Sequence, residues 1–293
     1  MIRPGGIGDL IVSLPALEAL RADYTEVWVA PPNLPLVRFA DGVRAIPDTG
    51  LNLLEIPDRD PPAALLDDLR GFDSIVSWYG ANREEFRRAA ERHGLRMELL
   101  PALPDGRGHA VDFYLRQAGA EPGARPRIGC PRGNAQVRHG DRAVSTSARN
   151  RAATGGSGCA PGDELGGGGF VAIHPFSGSP KKNWPLERFR RVAEILDAQW
   201  CERRFEDLYD LGCWLAQARL FIGNDSGIAH LAAAVGTPVV ALFGPTDPAV
   251  WAPRGDDVRV VFRPGPIDQI TVEEVLAAAT RSAPAASPAC WPR

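Results

Sequence analysis

The stretch Leu220-Phe221-Ile222-Gly223-Asn224-Asp225-Ser226-Gly227-Ile228-Ala229-His230 passes from a strand pattern to a helix pattern through one short polar turn. The apolar run at its start is typical of a buried strand, and the run 228–234 predicts a helix. Backbone N–H groups at a helix start lack partners and carry partial positive charge, so this turn can hold a phosphate. Ser226 adds a hydroxyl donor, and Gly227 lets the backbone approach a ligand closely. The alternative is that Asp225 or Ser226 only caps the helix.

Outward from this turn, strand and helix patterns alternate along both halves of the chain. Strand patterns cover 27–30, 74–80, 170–174 and 239–244, and helix patterns cover 10–20, 62–69, 186–196 and 272–279. This alternation predicts parallel strands joined by right-handed crossovers, with the ligand loops at the carboxyl ends of the strands. A chain of 293 residues exceeds the usual size of one core, about 100–200 residues, so two α/β domains are expected.

The composition also predicts the domain boundaries. Residues 1–130 form the first domain and 170–293 the second. Between them, 131–169 is rich in Gly, Arg and Ser with almost no aliphatic residues, which predicts a disordered linker. The second domain is expected to be shortened near 198–205, because 200–210 leads straight into a helix pattern where another strand is expected.

A second polar loop, 177–185, also follows a strand and precedes a helix. Its hydroxyls, glycine and lysines suit a diphosphate, because ammonium groups neutralise the charge that develops as a nucleotide leaves. The candidate ligands are Ser177, Gly178, Ser179 and Lys182. A solvated basic turn capped by Asn183 is the alternative. Both loops are expected at the same edge of a parallel sheet, which favours one shared site.

Near the N-terminus, Gly5-Gly6-Ile7-Gly8 opens a helix pattern and is followed by Asp9. The glycines match a dinucleotide fingerprint only weakly, since its third glycine is missing. A carboxylate at a helix start is stabilised as an anion, which suits a general base for a hydroxyl group. On local sequence, capping of the helix is an equal alternative for Asp9.

Composition argues against several other classes of protein. A net charge of −3 gives no indication of nucleic-acid binding, and the five cysteines include no CxxC pair. No stretch approaches the roughly 20 apolar residues that span a bilayer, so a cytoplasmic location is expected, with peripheral membrane contact left open. Asp58-Arg59-Asp60 matches a metal-binding Asp-x-Asp pattern, but no strand pattern precedes it and no bound metal is expected.

Three segments together resemble glycosyltransferase family 9, the ADP-heptose:lipopolysaccharide heptosyltransferases. The first is Arg3-Pro4-Gly5-Gly6-Ile7-Gly8-Asp9-Leu10, continued by Leu14-Pro15-Ala16-Leu17. The second runs from His174-Pro175-Phe176-Ser177-Gly178-Ser179 to Lys182-Asn183-Trp184-Pro185. The third covers 221–251 and includes Gly244-Pro245-Thr246-Asp247-Pro248.

The resemblance implies an α/β GT-B fold, with two Rossmann-like domains facing a central cleft. It implies the nucleotide on the C-terminal domain and the acceptor on the N-terminal domain, beside Gly6 and Gly8. Asp9 would deprotonate the acceptor hydroxyl, and the reaction would invert the anomeric centre without metal or cofactor. The donor set it implies is Ser177, Gly178, Ser179, Lys182, Asp225, Ser226, Gly227 and His230.

The implied partners are an ADP-sugar donor, a lipopolysaccharide-core or other glycan acceptor, and the inner face of the inner membrane. The sequence departs from the family pattern in its first strand, reduced to Met1-Ile2-Arg3, in the segment 132–169, and near 198–205, where a loop normally supplies an acidic contact to the nucleoside. Two alternatives therefore remain. One is an inactive relative that keeps partial nucleotide-sugar binding, and the other is a sugar-nucleotide epimerase, whose carboxylate and histidine constellation is not evident.

Overall fold

The structure is a computed structural model that describes residues 1–56, 60–130, 169–201 and 205–280. The predicted linker lies outside these residues apart from Gly169, as do Asp58 and Arg59 of the Asp-x-Asp pattern. The disorder predicted for the linker and the domain boundaries stay predictions.

The N-terminal half forms one parallel five-stranded sheet in the order β3-β2-β1-β4-β5. Its strands are β1 Ile2–Arg3, β2 Glu26–Val29, β3 Gly42–Ala45, β4 Ile75–Ser77 and β5 Met97–Leu99. Its helices are α1 Ile7–Ala19, α2 Ile46–Thr49, α3 Ala63–Arg70, α4 Glu84–Arg92 and α5 Ala110–Gln117. The reduced first strand is confirmed: β1 has two residues, yet Ile2 pairs with both Trp28 and Ser77 at the centre of the sheet.

The C-terminal half forms a second parallel five-stranded sheet in the order β10-β9-β8-β6-β7. Its strands are β6 Val171–His174, β7 Gln199–Trp200, β8 Leu220–Asn224, β9 Val239–Phe243 and β10 Val258–Phe262. Its helices are α6 Leu186–Leu196, α7 Leu208–Leu215, α8 Gly227–Ala234, α9 Pro248–Trp251 and α10 Val272–Thr280.

The expectation that no strand precedes α7 is wrong, because β7 occupies this position. β7 pairs with β6 through Ala172 and Gln199 and through Ile173 and Trp200, and the N–H of Cys201 extends the ladder to the carbonyl of Ile173 at 2.9 Å. An edge strand has one neighbour and needs no continuous apolar run, so two residues suffice and leave little signal in the sequence. The shortening of 198–205 relative to the family stays a prediction, since 202–204 lie outside the described residues.

One hydrophobic cluster connects the two sheets. It contains Leu10 and Leu14 of α1, Leu231 of α8, and Ala172 and Phe221 of the second sheet. Helix α1 packs on α5 on one side and on α8 on the other. Two further clusters cover the outer faces, one between the second sheet and α6 and α10, the other between the first sheet and α3 and α4. The shared cluster therefore holds the start of α1 against the start of α8.

Candidate functional site

The candidate site is a cleft of about 410 Å³ where the N-termini of α1 and α8 meet. Twelve residues line it: Gly6, Ile7, Gly8, Asp9, Gly178, Lys182, Asp225, Ser226, Gly227, His230, Thr246 and Trp251. Nine of the eleven residues singled out from the sequence are among them, and Ser177 and Ser179 are not. The cleft thus combines the glycine loop of the first sheet with both polar loops of the second.

The two halves approach each other closely at Gly227. A Cβ atom on Gly227 would lie 2.7 Å from Ile7 Cβ and 2.9 Å from the backbone nitrogen of Gly8. A Cβ on Gly8 would meet His230 Cδ2 only at 3.5 Å, which is ordinary van der Waals contact. The glycine at position 227 is therefore required by packing between the two glycine turns.

We expect Gly227→Ala to lower the free energy of unfolding by roughly 1–3 kcal/mol, as overpacking does, although alanine is otherwise the better helix former. Gly8→Ala is the matched control and should change stability by much less. Urea unfolding of both variants measures this. Equal stability of the two variants would contradict the close contact.

On the first sheet, a buried arginine and a buried asparagine shape the glycine loop. Arg3 donates to the carbonyls of Pro4 and Asp9 at 2.9 and 2.8 Å, and to Ser13 Oγ and Tyr114 Oη at 2.9 Å each. Asn33 Nδ2 donates to the carbonyls of Gly5 and Gly6 at 3.2 and 3.3 Å. The glycine loop before Asp9 is thus held in place by hydrogen bonds from two buried side chains, Arg3 and Asn33.

Asp9 lies in the first turn of α1, three residues after the N-cap residue Gly6. Its Oδ2 accepts the N–H of Gly6 at 2.8 Å, and its Oδ1 lies 4.0 Å from Arg3 Nη2. Burial lowers the pKa of the Arg3 guanidinium, and Tyr114 and Asp9 oppose that shift. The capping alternative holds for one oxygen of Asp9, yet the side chain is 35% exposed and lines the cleft, so it can reach a ligand.

On the second sheet, Asp225 is buried and takes two side-chain hydrogen bonds on the same oxygen. Lys182 Nζ donates to Asp225 Oδ2 at 2.8 Å, and Thr246 Oγ1 donates to it at 2.7 Å. The Asp225 side chain is 7% exposed and that of Lys182 is 32% exposed. Asp225 therefore fixes the ammonium group of Lys182 at the wall of the cleft, where it can meet an anion.

Ser226 both caps α8 and lines the cleft. Its side chain accepts the N–H of Ala229 at 3.4 Å, so the capping alternative is confirmed for this residue. The first N–H groups of a helix have no carbonyl partner within it and carry partial positive charge. The start of α8 and the Lys182 ammonium group therefore present hydrogen-bond donors to this wall of the cleft, beside the Asp225 carboxylate that pairs with Lys182.

The loop after β6 is closed by its own side chains. Ser177 Oγ lies 2.7 Å from Asn183 Oδ1 and 2.8 Å from the carbonyl of Ser179, so its single hydrogen is used inside the loop. Asn183 does not cap α6, whose N-cap residue is Pro185. Of the four residues predicted in this loop, Gly178 and Lys182 line the cleft, and the ligand contacts of Ser177 and Ser179 stay predictions.

Three lining residues, Ile7, Thr246 and Trp251, were not among the predicted set. Thr246 follows β9 and supports Asp225, and half-buried Trp251 ends α9. The signal that could have found Thr246 is its position just after a strand, at the same sheet edge as the other two loops.

His230 lies in the first turn of α8 and is buried in the cleft floor. Burial lowers its pKa to about 4, with Asp225 and Asp9 raising it and His109 and Lys182 lowering it further. The imidazole is therefore neutral at pH 7.

This pKa makes stability depend on pH between about 4 and 6.5. In that window the unfolded chain binds a proton on His230 that the folded protein excludes, so the free energy of unfolding falls as the pH falls. We expect this group to account for about 3 kcal/mol of the loss between pH 7 and pH 4. His230→Gln should flatten the pH dependence of urea unfolding, and His93→Gln outside the cleft should not. Identical slopes for His230→Gln and the wild type would contradict the burial argument.

Within the parts of the chain that the structure describes, no group of three or more His, Cys, Asp or Glu side chains could hold a metal ion. Within the same residues, no helix has the length and hydropathy needed to cross a bilayer. Metal independence stays a prediction.

The fold and the cleft define the class of protein: two parallel α/β sheets that face one another across a polar cleft, as in the GT-B architecture. Solved structures support this class. The glycosyl transferase family 9 protein from Veillonella parvula is similar at a TM-score of 0.65 and 16% identity, over 95% of this chain and 94% of that one. The Escherichia coli ADP-heptose LPS heptosyltransferase II is similar at 0.63 and 16%, over 95% and 96%. At this identity the likeness shows the fold, and the expected GT-B fold is confirmed.

Sequence comparison supports the family. The family model for glycosyltransferase family 9 (heptosyltransferase) matches residues 206–272. The E. coli lipopolysaccharide heptosyltransferase 3 is 54% identical over 49 residues, which are 17% of this chain and 14% of that protein. The match thus spans a small part of the curated relative's length. These findings support the resemblance to glycosyltransferase family 9 predicted from the three motifs, and the family model carries that support over residues 206–272.

One further neighbour bears on metals. The iron-containing dodecameric glycosyltransferase TibC of enterotoxigenic E. coli is similar at a TM-score of 0.54 and 14% identity, over 95% of this chain and 74% of that one. Its iron is a property of that protein.

Proposed function

We propose that the cleft binds an ADP-sugar and transfers its heptose, or a related sugar, to a glycan hydroxyl with inversion and without a metal. One observation carries this proposal. Lys182 and the start of α8 line the cleft from the second sheet, and the Asp9 carboxylate lines the same cleft from the first. An ammonium group with helix N–H donors from one sheet, and a carboxylate base from the other, suit displacement of a diphosphate by a hydroxyl group in one cleft.

On the donor side, the diphosphate would lie against Lys182 and the α8 N-terminus. Charge grows on its oxygens as the bond to the anomeric carbon breaks, and a fixed ammonium group and helix N–H groups stabilise that charge. Asp225, which also accepts a hydrogen bond from Thr246, holds the ammonium group in place, so little reorganisation accompanies the reaction. Neutral His230 in the floor adds no second cation at pH 7.

On the acceptor side, the hydroxyl would approach Asp9 beside Gly6 and Gly8. Asp9 takes its proton as the oxygen attacks the anomeric carbon from the face opposite the ADP group, and this geometry inverts the configuration. The bond from oxygen to carbon forms, the bond from carbon to phosphate oxygen breaks, and ADP leaves. Exclusion of water from the narrow cleft would limit hydrolysis of the donor.

The acceptor we propose is a lipopolysaccharide core or another glycan, met in the cytoplasm or at the inner face of the inner membrane. Support comes from the relatives, which are named as lipopolysaccharide heptosyltransferases, and from the neighbour described as an ADP-heptose enzyme.

The first test is binding of ADP. We expect ADP at about 100 times its dissociation constant to stabilise the protein by about 2.7 kcal/mol and to raise the melting temperature by several degrees. Differential scanning fluorimetry with ADP, and with adenosine as a control lacking phosphates, measures this. No shift at millimolar ADP would contradict the proposal.

A binding protein without turnover is the second candidate. It is favoured by the two-residue length of β7, the edge strand that pairs with β6. It predicts the ADP shift but no release of ADP from ADP-heptose in the presence of core oligosaccharide. Release coupled to a mass increase of the acceptor would exclude it.

A further inference from the structure

Phe176 is a half-exposed aromatic side chain directly before the polar loop 177–185. It is 50% exposed, and its ring meets the ring of His174 edge to face, with centroids 6.0 Å apart and planes at 85°. Most of the other large aromatic side chains in the described residues are buried or half-buried. A large exposed ring in a loop whose later residues, Gly178 and Lys182, line a candidate ligand site indicates a surface that a ligand covers.

The ring lies on the same side of the sheet as the start of α8. Successive residues of a strand point to opposite faces, so His174 shares the face of Ala172. Ala172 belongs to the hydrophobic cluster that contains α7 and α8. The contact between Phe176 and His174 therefore places Phe176 toward the face on which α8 begins.

Topology brings these two features to one crevice. The chain passes from β6 through α6 to β7 on one side of β6, and then through α7 to β8 on the other side. Where the strand order reverses in this way, the loops diverge at the carboxyl ends and leave a crevice for a ligand. Phe176 follows β6, and the turn that starts α8 follows β8.

The backbone around Phe176 is anchored on both sides. The carbonyl of Pro175 accepts from Asn224 Nδ2 at 2.6 Å, and Ser177 Oγ is tied to Asn183 at 2.7 Å. Gly178 and Lys182, later in the same loop, line the cleft. Because the backbone on both sides is anchored and the ring already contacts His174, Phe176 loses little conformational freedom when a flat ligand stacks on it.

We propose that Phe176 stacks on the base of the nucleotide whose diphosphate is held by Lys182 and the α8 N-terminus. This inference rests on the proposed function and names the base-binding surface of the same site. Purine bases present a larger π-face than pyrimidines, so the surface favours a purine nucleoside diphosphate. A base stacked on an aromatic side chain contributes about 1–3 kcal/mol by alanine substitution, roughly a 5- to 150-fold change in affinity.

The experiment compares Phe176→Ala with wild type by isothermal titration of ADP, UDP and inorganic pyrophosphate. Phe176→Ala should weaken ADP about 5- to 150-fold, weaken UDP less, and leave pyrophosphate unchanged. Phe176→Trp should retain ADP affinity. Phe262→Ala, which removes another exposed aromatic (41% exposed) on β10, is the matched control and should change nothing.

The outcomes separate the two proposals. If neither ADP nor pyrophosphate binds the wild type, the proposed function fails. If both bind but Phe176→Ala leaves ADP unchanged, or weakens ADP and pyrophosphate equally, the stacking proposal is overturned. Should Phe176→Ala not fold, Phe176→Leu keeps the apolar volume without the π-face, and ADP binding equal to wild type would overturn the proposal.

Discussion

Asp9→Asn should lower sugar transfer by about 10²- to 10⁴-fold, the usual contribution of a positioned general base. The amide keeps an oxygen that can accept the N–H of Gly6, so the loop retains its shape, but it cannot take the acceptor's proton. ADP affinity should stay within about twofold, because the base lies on the wall opposite Lys182. Release of ADP from ADP-heptose measures transfer, and titration measures binding.

The matched control is Asp73→Asn, an exposed aspartate of the same half outside the cleft, which should leave transfer unchanged. Melting temperatures of both variants are needed, since Asp9 is also the carboxylate 4.0 Å from buried Arg3. Transfer at the wild-type rate by a folded Asp9→Asn protein would remove Asp9 as the base. A parallel loss of ADP affinity would assign it a binding role instead.

Lys182→Ala should weaken ADP binding roughly 10- to 150-fold, the range for one charge-assisted hydrogen bond in a partly buried site. The effect has two sources. The ammonium that meets the diphosphate is removed, and buried Asp225 keeps its negative charge beside the phosphates, with Thr246 as its remaining side-chain donor among the described residues.

The chain supplies a matched control in the neighbouring residue. Lys181 is exposed and does not line the cleft, so Lys181→Ala removes the same charge a residue away and should change ADP affinity by less than about twofold. Salt-dependent titrations of both variants separate a direct contact from general attraction. Equal losses in the two variants would show that Lys182 acts only through net charge.

The sequence predicted which loops meet but not which way their side chains turn. The loops after β6 and β8 were expected together because carboxyl ends of parallel strands share one edge, and Gly178, Lys182 and Ser226 do line one cleft. The hydrogen bond that buried Asp225 accepts from Thr246 joins residues 21 apart in the sequence, and no local pattern reports such a contact. Ser177 looked like a ligand, yet its hydroxyl is used to close its own loop.

Strand prediction failed where strands are short or at an edge. The four strands that were not predicted, β3, β5, β7 and β10, are the edge strands of the two sheets, and three of them have only four, three and two residues. The start of α8 was predicted almost to the residue, because a buried strand, a polar turn and a helix face follow one another without interruption. Capping and lining were weighed as alternatives at Ser226, and the structure shows that one residue does both.

The most direct test of the central claim is a crystal structure of the protein with ADP. We expect the diphosphate within hydrogen-bonding distance of Lys182 Nζ and the first N–H groups of α8, with the space for the sugar between the diphosphate and Asp9. ADP bound at any other place, with the space between Lys182 and Asp9 left to solvent, would contradict it.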